Sequence, residues 1–285
     1  MKNNDQKKTV LPKAKPKNPP KNPTSWEPVA GWYDELLAGD DTYQSKVILP
    51  NLLRLLEPKG KKIIDIACGQ GFFSKLFAEA GADEVLGVDI SPELIKKAKE
   101  KAQDGTSSGN ADKQARFEVS PADDIRVAKS EYFNTAVIVL AIQNIKEMNA
   151  TLKEASRVLT KGGELILVLN HPCFRIPKAT AWGYDDVAKV QYRRVDKYGL
   201  PFSIDIDMTP GAIARTDDGA KKIFTKSFHR PLQDYFKALV GAGFQVAGLE
   251  EWISHKKSEN GPRAVVEDSA RKEFPMFLMI SARKN

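Results

Sequence analysis

The chain has 285 residues, 41% of them apolar, which is enough for one domain with an insertion or for two small domains. No stretch approaches the ~18 uninterrupted apolar residues of a membrane-spanning helix, and two cysteines, Cys68 and Cys173, cannot build a disulfide framework. The net charge of +7 is localised. Residues 1–25 hold seven lysines and one acid (+6), leaving +1 for the rest, so a basic nucleic-acid-binding surface on the folded part is not implied.

Residues 1–25 are rich in Lys, Asn and Pro, with almost no apolar content to offset ordering entropy, and read as a disordered tail. They lack the apolar run of a secretory signal and the arginines of a transit peptide. The two thiols fall at the ends of predicted central strands, which suits a cytoplasmic protein. Residues 26–285 read as the folded domain. Trp32, Tyr33, Leu36 and Leu37 predict a short amphipathic helix. A longer one is expected from Tyr43 to Leu56, with Pro50 giving a kink or a late start.

The stretch KKIIDIACGQGFFS (Lys61 to Ser74) then reads as strand, tight turn and helix, the opening unit of a parallel α/β fold. A dinucleotide-binding turn wants G-x-G-x-x-G/A, and Ser74 stands at its third position. The alternative is an acidic-x-Gly-x-Gly-x-Gly loop, with Asp65, Ala67, Gly69 and Gly71 on the spacing and alanine at the first glycine. Either reading expects an acid at the end of the second strand to hold ribose hydroxyls, and Asp89 is there.

Further along, Ser91-Pro92 starts a helix with Leu94, Ile95 and Ala98 facing inward. Strands are expected at Arg116 to Val119, at Thr135 to Leu140 and at Glu164 to Leu169, the second of these continuously apolar as a doubly covered strand should be. A helix from about Met148 to Leu159 separates the last two. SFHRPLQDYFKALVGAGFQV and MFLMISARK supply a helix and two final strands. Repeated alternation predicts a largely parallel sheet with its ligand beyond the carboxyl ends of the strands.

Four landmarks in order, the Asp65 to Gly71 loop, Asp89, Ala122-Asp123 and RVLTKGG (Arg157 to Gly163), make the chain resemble the class I S-adenosylmethionine-dependent methyltransferases from about residue 28 onward. The resemblance implies a Rossmann-like α/β fold. Its seven-stranded, mostly parallel sheet has helices on both faces, the seventh strand is antiparallel between the fifth and sixth, and an insertion follows the fifth. It also implies S-adenosylmethionine as cofactor. Gly69 and Gly71 would admit its methionine part, Asp65 would orient its amino group, and Asp89 would accept the ribose hydroxyls. Ile90 would cover adenine, with Ala122 and Asp123 at its edge, and Leu140 would lie near the sulfonium. Pro121 stands where the family often has an acid.

Residues 174–230 exceed an ordinary strand-helix connection and are rich in aromatics, including Trp182 and Tyr184. YRRVDKY and FSIDIDM, around Gly199-Leu200-Pro201, suggest a hairpin. Such an insertion resembles the lid of small-molecule methyltransferases. His171 (NHPCFR) and His229 (SFHRP) are candidate bases, and Arg175 and Arg230 beside them would hold an acidic or phenolate group. Trp182 would close over the acceptor and Tyr33 over cofactor or acceptor, and His255 reads as a surface residue. Cys173 reads as a buried, inert thiol, because the Pro-Cys pair of cytosine C5 enzymes has no counterpart in Ala141-Ile142-Gln143-Asn144. The function expected is methyl transfer to a small molecule. An RNA methyltransferase gathering substrate through the lysine tail, a nicotinamide-dependent oxidoreductase and a non-catalytic cofactor-binding module are the rivals.

Overall fold

The structure, a computed structural model, describes residues 39–104, 115–208 and 224–285. Five strands, β1 (Lys62–Ile66), β2 (Glu84–Asp89), β3 (Arg116–Val119), β4 (Phe133–Val139) and β5 (Leu159–Asn170), run parallel in the order β3-β2-β1-β4-β5. The sheet continues through β11 (Phe277–Lys284), antiparallel to β5, and ends at β10 (Phe244–Trp252), antiparallel to β11. The seven-stranded, mostly parallel sheet expected from the sequence is therefore present, with the last strand inserted between the fifth and the sixth of the sheet.

Successive side chains on a strand face opposite sides, so the continuous apolar runs feed two cores. Ile64, Ile66, Leu86 and Ile138 pack with Leu152 and Ala155 of α4 (Met148–Val158) and with Tyr235 and Leu239 of α5 (Leu232–Gly241). Ile63, Val85, Val137 and Val168 pack on the other face. Their partners are Leu52 and Leu56 of α1 (Leu49–Leu56), Phe77 of α2 (Phe72–Glu79), and Ile95 and Ala98 of α3 (Pro92–Asp104). Among the described residues no helix is long and apolar enough to cross a membrane.

Pro50 acts as its lack of an N–H dictates. Gln44–Ile48 is a π-helical turn, with Leu49 N–H donating to Gln44 O, and regular α-helix begins only with the turn that holds Pro50. The hairpin expected around Gly199-Leu200-Pro201 does not form. β7 (Val190–Val195) pairs instead with β6 (Thr180–Asp185), and β8 (Phe202–Asp207) pairs with β9 (Phe224–His229). Two local features select the first pairing. Asp185 Oδ1 accepts the N–H groups of Val187 and Ala188 in the turn. Gly183 leaves room for the Tyr192 ring opposite it, where a Cβ would meet the ring at 2.3 Å. A sixth helix, α6 (Ala264–Glu273), follows the charged HKKSENGPR stretch, for which the sequence reading has no helix.

Candidate active site

The loop after β1 is built from three left-handed residues, Ala67 (φ 59), Gly69 (φ 58) and Gly71 (φ 78). Gly71 is obligatory on steric grounds as well: a Cβ there would lie 2.6 Å from the Phe117 ring. At Gly69 a Cβ would meet no protein atom within 4 Å, so this turn presents bare backbone to open space. Cys68 N–H donates to Val88 O (3.0 Å), and Gly69 N–H donates to Asp89 Oδ2 (2.9 Å), which binds the loop to the end of β2.

Asp89 is buried. Its Oδ1 accepts the Ser91 N–H at 2.9 Å, and burial pushes its pKa up against the opposing pull of these amides. Asp65 is deeper still. Ser74 Oγ donates to its Oδ2 at 2.6 Å, and burial pushes its pKa up to about 7. Ser74, the residue that breaks the dinucleotide fingerprint, is thus the partner of the loop's first acid.

These groups open on a cavity of about 170 Å³. Asp65, Ala67, Gly69, Asp89, Ile90 and Leu140 all line it, the last in a left-handed conformation (φ 53) at the end of β4. Gly71 lies behind the wall. Ala122 packs against the core and Asp123 is exposed; neither lines the cavity. The sequence reading misses Gln70, Phe72, Phe73, Asn144 and Ile145, which also line it. Gln70 is the most telling of them. Only 2% exposed, it leaves both amide atoms without a hydrogen-bond partner. A buried amide with nothing to bond is costly unless a ligand supplies the partners. Its position inside the loop is the signal that would have found it.

The acceptor-side candidates separate. His171 Nδ1 accepts the Cys173 N–H (3.2 Å), which leaves the proton on Nε2 for Glu251 Oε1 (2.7 Å), so both ring nitrogens are engaged. Burial lowers its pKa, with Glu251 opposing. The ring lies at the β5–β11 end of the sheet and lines neither the cavity nor the crevice that holds His229, so the structure gives no support to His171 as a base. His229 Nε2–H donates to Tyr198 O (2.8 Å), leaving Nδ1 as the ring's basic nitrogen. His229 lines a small crevice with Gln143, Asn170, Arg175 and Arg230.

Arg230 is committed elsewhere. Its guanidinium donates to the carbonyls of Ile142 (3.3 Å), Ile145 (2.7 Å) and Lys146 (2.9 Å), clamping the 3-10 turn Ile142–Asn144 and the residues just after it. Trp182 is partly exposed and packs edge-on to Phe274, and Tyr33 lies outside the described residues. His255 is half-buried and bonded to Asp41 at 2.9 Å, not a free surface residue. Burial raises the pKa of Cys68 and of Cys173, as befits unreactive thiols.

The residues that face the cavity fit S-adenosylmethionine: a left-handed glycine turn without side-chain cover, a buried carboxylate ending β2, a second below the loop, and the unpartnered Gln70 amide. A family profile described as "Methyltransferase domain" matches residues 57–179. A ubiquinone biosynthesis O-methyltransferase of Xanthomonas axonopodis pv. citri is 27% identical over 112 residues, 39% of this chain and 44% of that enzyme. A ubiquinone/menaquinone biosynthesis C-methyltransferase of Photorhabdus laumondii is 34% identical over 122 residues, 41% of this chain and 45% of that one. The chain thus matches less than half the length of either relative. A solved S-adenosylmethionine-dependent methyltransferase of Mesorhizobium loti shares the fold with a TM-score of 0.62 at 23% identity, covering 87% of this chain and all of that one. The stretch that the profile matches is the stretch that builds the cavity, and the likeness of fold extends over most of the chain: residues 57–179 carry a methyltransferase domain, and the chain has the class I S-adenosylmethionine-dependent methyltransferase fold.

Proposed function

We propose that the chain transfers a methyl group to a small-molecule acceptor bound beneath residues 174–230, which act as a lid-like insertion. The observation that carries this is the two-sided 3-10 turn after β4. Asn144 faces the cofactor cavity, while Gln143 lines the crevice that holds Arg175 and His229. β9 of the insertion packs on this same turn. The crevice and the cofactor cavity border the same turn, so an acceptor held in the crevice lies next to the cofactor space at the carboxyl ends of β4 and β5. The two curated relatives methylate oxygen in one case and carbon in the other, both in ubiquinone biosynthesis, which favours a small organic acceptor without choosing the atom.

S-adenosylmethionine, when bound, supplies a methyl group on positively charged sulfur. The protein's task is alignment and exclusion of water. Asp89 would hold the ribose hydroxyls, Asp65 the amino group, and Ile90 the adenine face. Gln70 adds an amide donor and acceptor to the same wall. Ala122 and Asp123 would flank the adenine edge from the segment after β3, which Ser120 N–H ties to Asp89 O at 2.8 Å. Where the acceptor holds its proton at neutral pH, His229 Nδ1 takes it.

Methyl-labelled cofactor offered with extracts split into small-molecule and RNA fractions tests the reading, and the label should appear in the small-molecule fraction. His229→Ala should then lower turnover about 10²- to 10⁴-fold on that acceptor, the range of a general base. Label in RNA alone would reject the acceptor class. Near-wild-type turnover by the variant would reject the base.

A further inference from the structure

A second crevice, of about 50 Å³, lies between the β6–β7 hairpin and the segment leading from α6 into β11. Arg175, Arg193 and Arg271 line it beside Phe174, Trp182 and Phe274, and among the described residues no carboxylate does. Two of the arginines are fixed. Arg193 Nε donates to Phe174 O (3.0 Å) and Nη2 to Thr180 Oγ1 (2.7 Å), while its guanidinium lies 4.9 Å over the Trp182 ring. Arg271 Nε donates to Ser258 Oγ (3.3 Å) and stands 4.0 Å from Asp268. Arg175 makes no side-chain hydrogen bond among the described residues. It also lines the crevice of Gln143 and His229, so one residue borders both spaces. Of the three arginines only Arg271 has a carboxylate beside it, while Arg175 and Arg193 form no ion pair among the described residues, and like charges held close are unfavourable until a counter-charge arrives. Burial, and then the Arg175 charge, already depress the Arg193 pKa.

We infer that this arginine-lined crevice anchors a carboxylate of the acceptor, an organic acid whose planar body lies along Arg175 toward His229. The inference rests on the proposed small-molecule reading. The space suits a single oxyanion group, a guanidinium fork pairs with a carboxylate through two parallel hydrogen bonds, and the aromatic walls of Phe174 and Trp182 suit a flat substituent.

The probe is benzoate, titrated into the full chain saturated with S-adenosylhomocysteine and followed by calorimetry or by its own proton signals. Wild-type protein should bind it, more weakly as salt rises. Arg175→Gln, which removes no side-chain hydrogen bond among the described residues, should weaken it by about tenfold or more, with affinity for S-adenosylhomocysteine unchanged. Arg271→Gln should weaken it in the same direction. No benzoate binding at millimolar concentration, equal binding by Arg175→Gln, or inorganic phosphate bound in its place would each overturn the assignment. A small acceptor whose kcat/KM ignores Arg175→Gln would remove the anchor and leave the small-molecule reading intact. Methyl transfer to RNA alone, with benzoate binding still lost in Arg175→Gln, would sink that reading and not the site.

Discussion

Asp65 carries two opposing demands. Its side chain is 1% exposed with one hydroxyl partner, Ser74, and burial lifts its pKa from 3.8 to about 7. A cationic amino group beside it would favour the ionised form instead. In the ligand-free protein the folded state therefore binds more protons than the unfolded chain between about pH 4 and 7, so stability falls as pH rises through that window and the loss is complete above it. Asp65→Asn keeps an acceptor for Ser74 and removes the charge. We expect it to be more stable than wild type at pH 8, by on the order of 2–4 kcal/mol, and so to melt at higher temperature, with the difference vanishing near pH 4, and to bind cofactor more weakly. Thermal melts of both proteins across that range are the check, and parallel melting curves would mean that Asp65 ionises normally. The acid-loop-acid pattern was legible in the sequence because glycine marks positive φ and the two acids stand on the spacing of the methyltransferase resemblance. Ala67 shows the limit of that logic, since a non-glycine residue adopts the left-handed conformation at φ 59. Gln70 shows another: its place in the loop marks it as a candidate, but burial without a partner is a property of the packed loop.

The parallel strands were readable because each is an apolar run bounded by a turn, and the register of a doubly covered strand follows from its two faces. The insertion was not. Its strands are half-exposed and compete for partners, and Asp185 and Gly183, neither an apolar signal, decide between them. Arg230 was visible as a cation beside a histidine, yet its three carbonyl partners lie more than 80 residues away and come together only in the fold. That clamp holds the segment that borders both the cofactor cavity and the proposed acceptor crevice. Arg230→Ala should cost about 1–3 kcal/mol, since buried carbonyls lose a charged donor. Cofactor affinity and turnover should fall together, because one turn serves both spaces. Lysine at this position should recover only part of each, as a point charge cannot span three carbonyls. A rise in the acceptor's KM alone, with melting temperature unchanged, would return Arg230 to direct acceptor binding.

Across the whole molecule, the sheet divides the work along its carboxyl edge. The cofactor loop belongs to β1, β2 and β4, and the proposed acceptor side to β4, β5 and the strands added beyond them. The profile match ends at residue 179, six residues into the insertion, so it covers the cofactor half and leaves most of the proposed lid outside it. Charge is divided differently. The first 25 residues hold +6 of the chain's +7, and the near-neutral remainder contains every residue assigned to cofactor or acceptor. Residues 1–25 lie outside the described part, and their composition offers almost no apolar surface to bury. If methyl transfer is to a small molecule, removing them should leave melting temperature, cofactor affinity and turnover as they are. Only retention on a cation exchanger should change, since net charge falls from +7 to +1. If the acceptor were RNA, the same deletion should weaken substrate binding, and the affinity of the full chain should fall steeply with salt as phosphate counterions are released. The truncated chain, assayed at two salt concentrations, therefore separates the two acceptor classes in one experiment. A lower melting temperature after truncation would instead show the lysine-rich segment docked against the domain, where its charge would have to be counted in the field around the acceptor crevice.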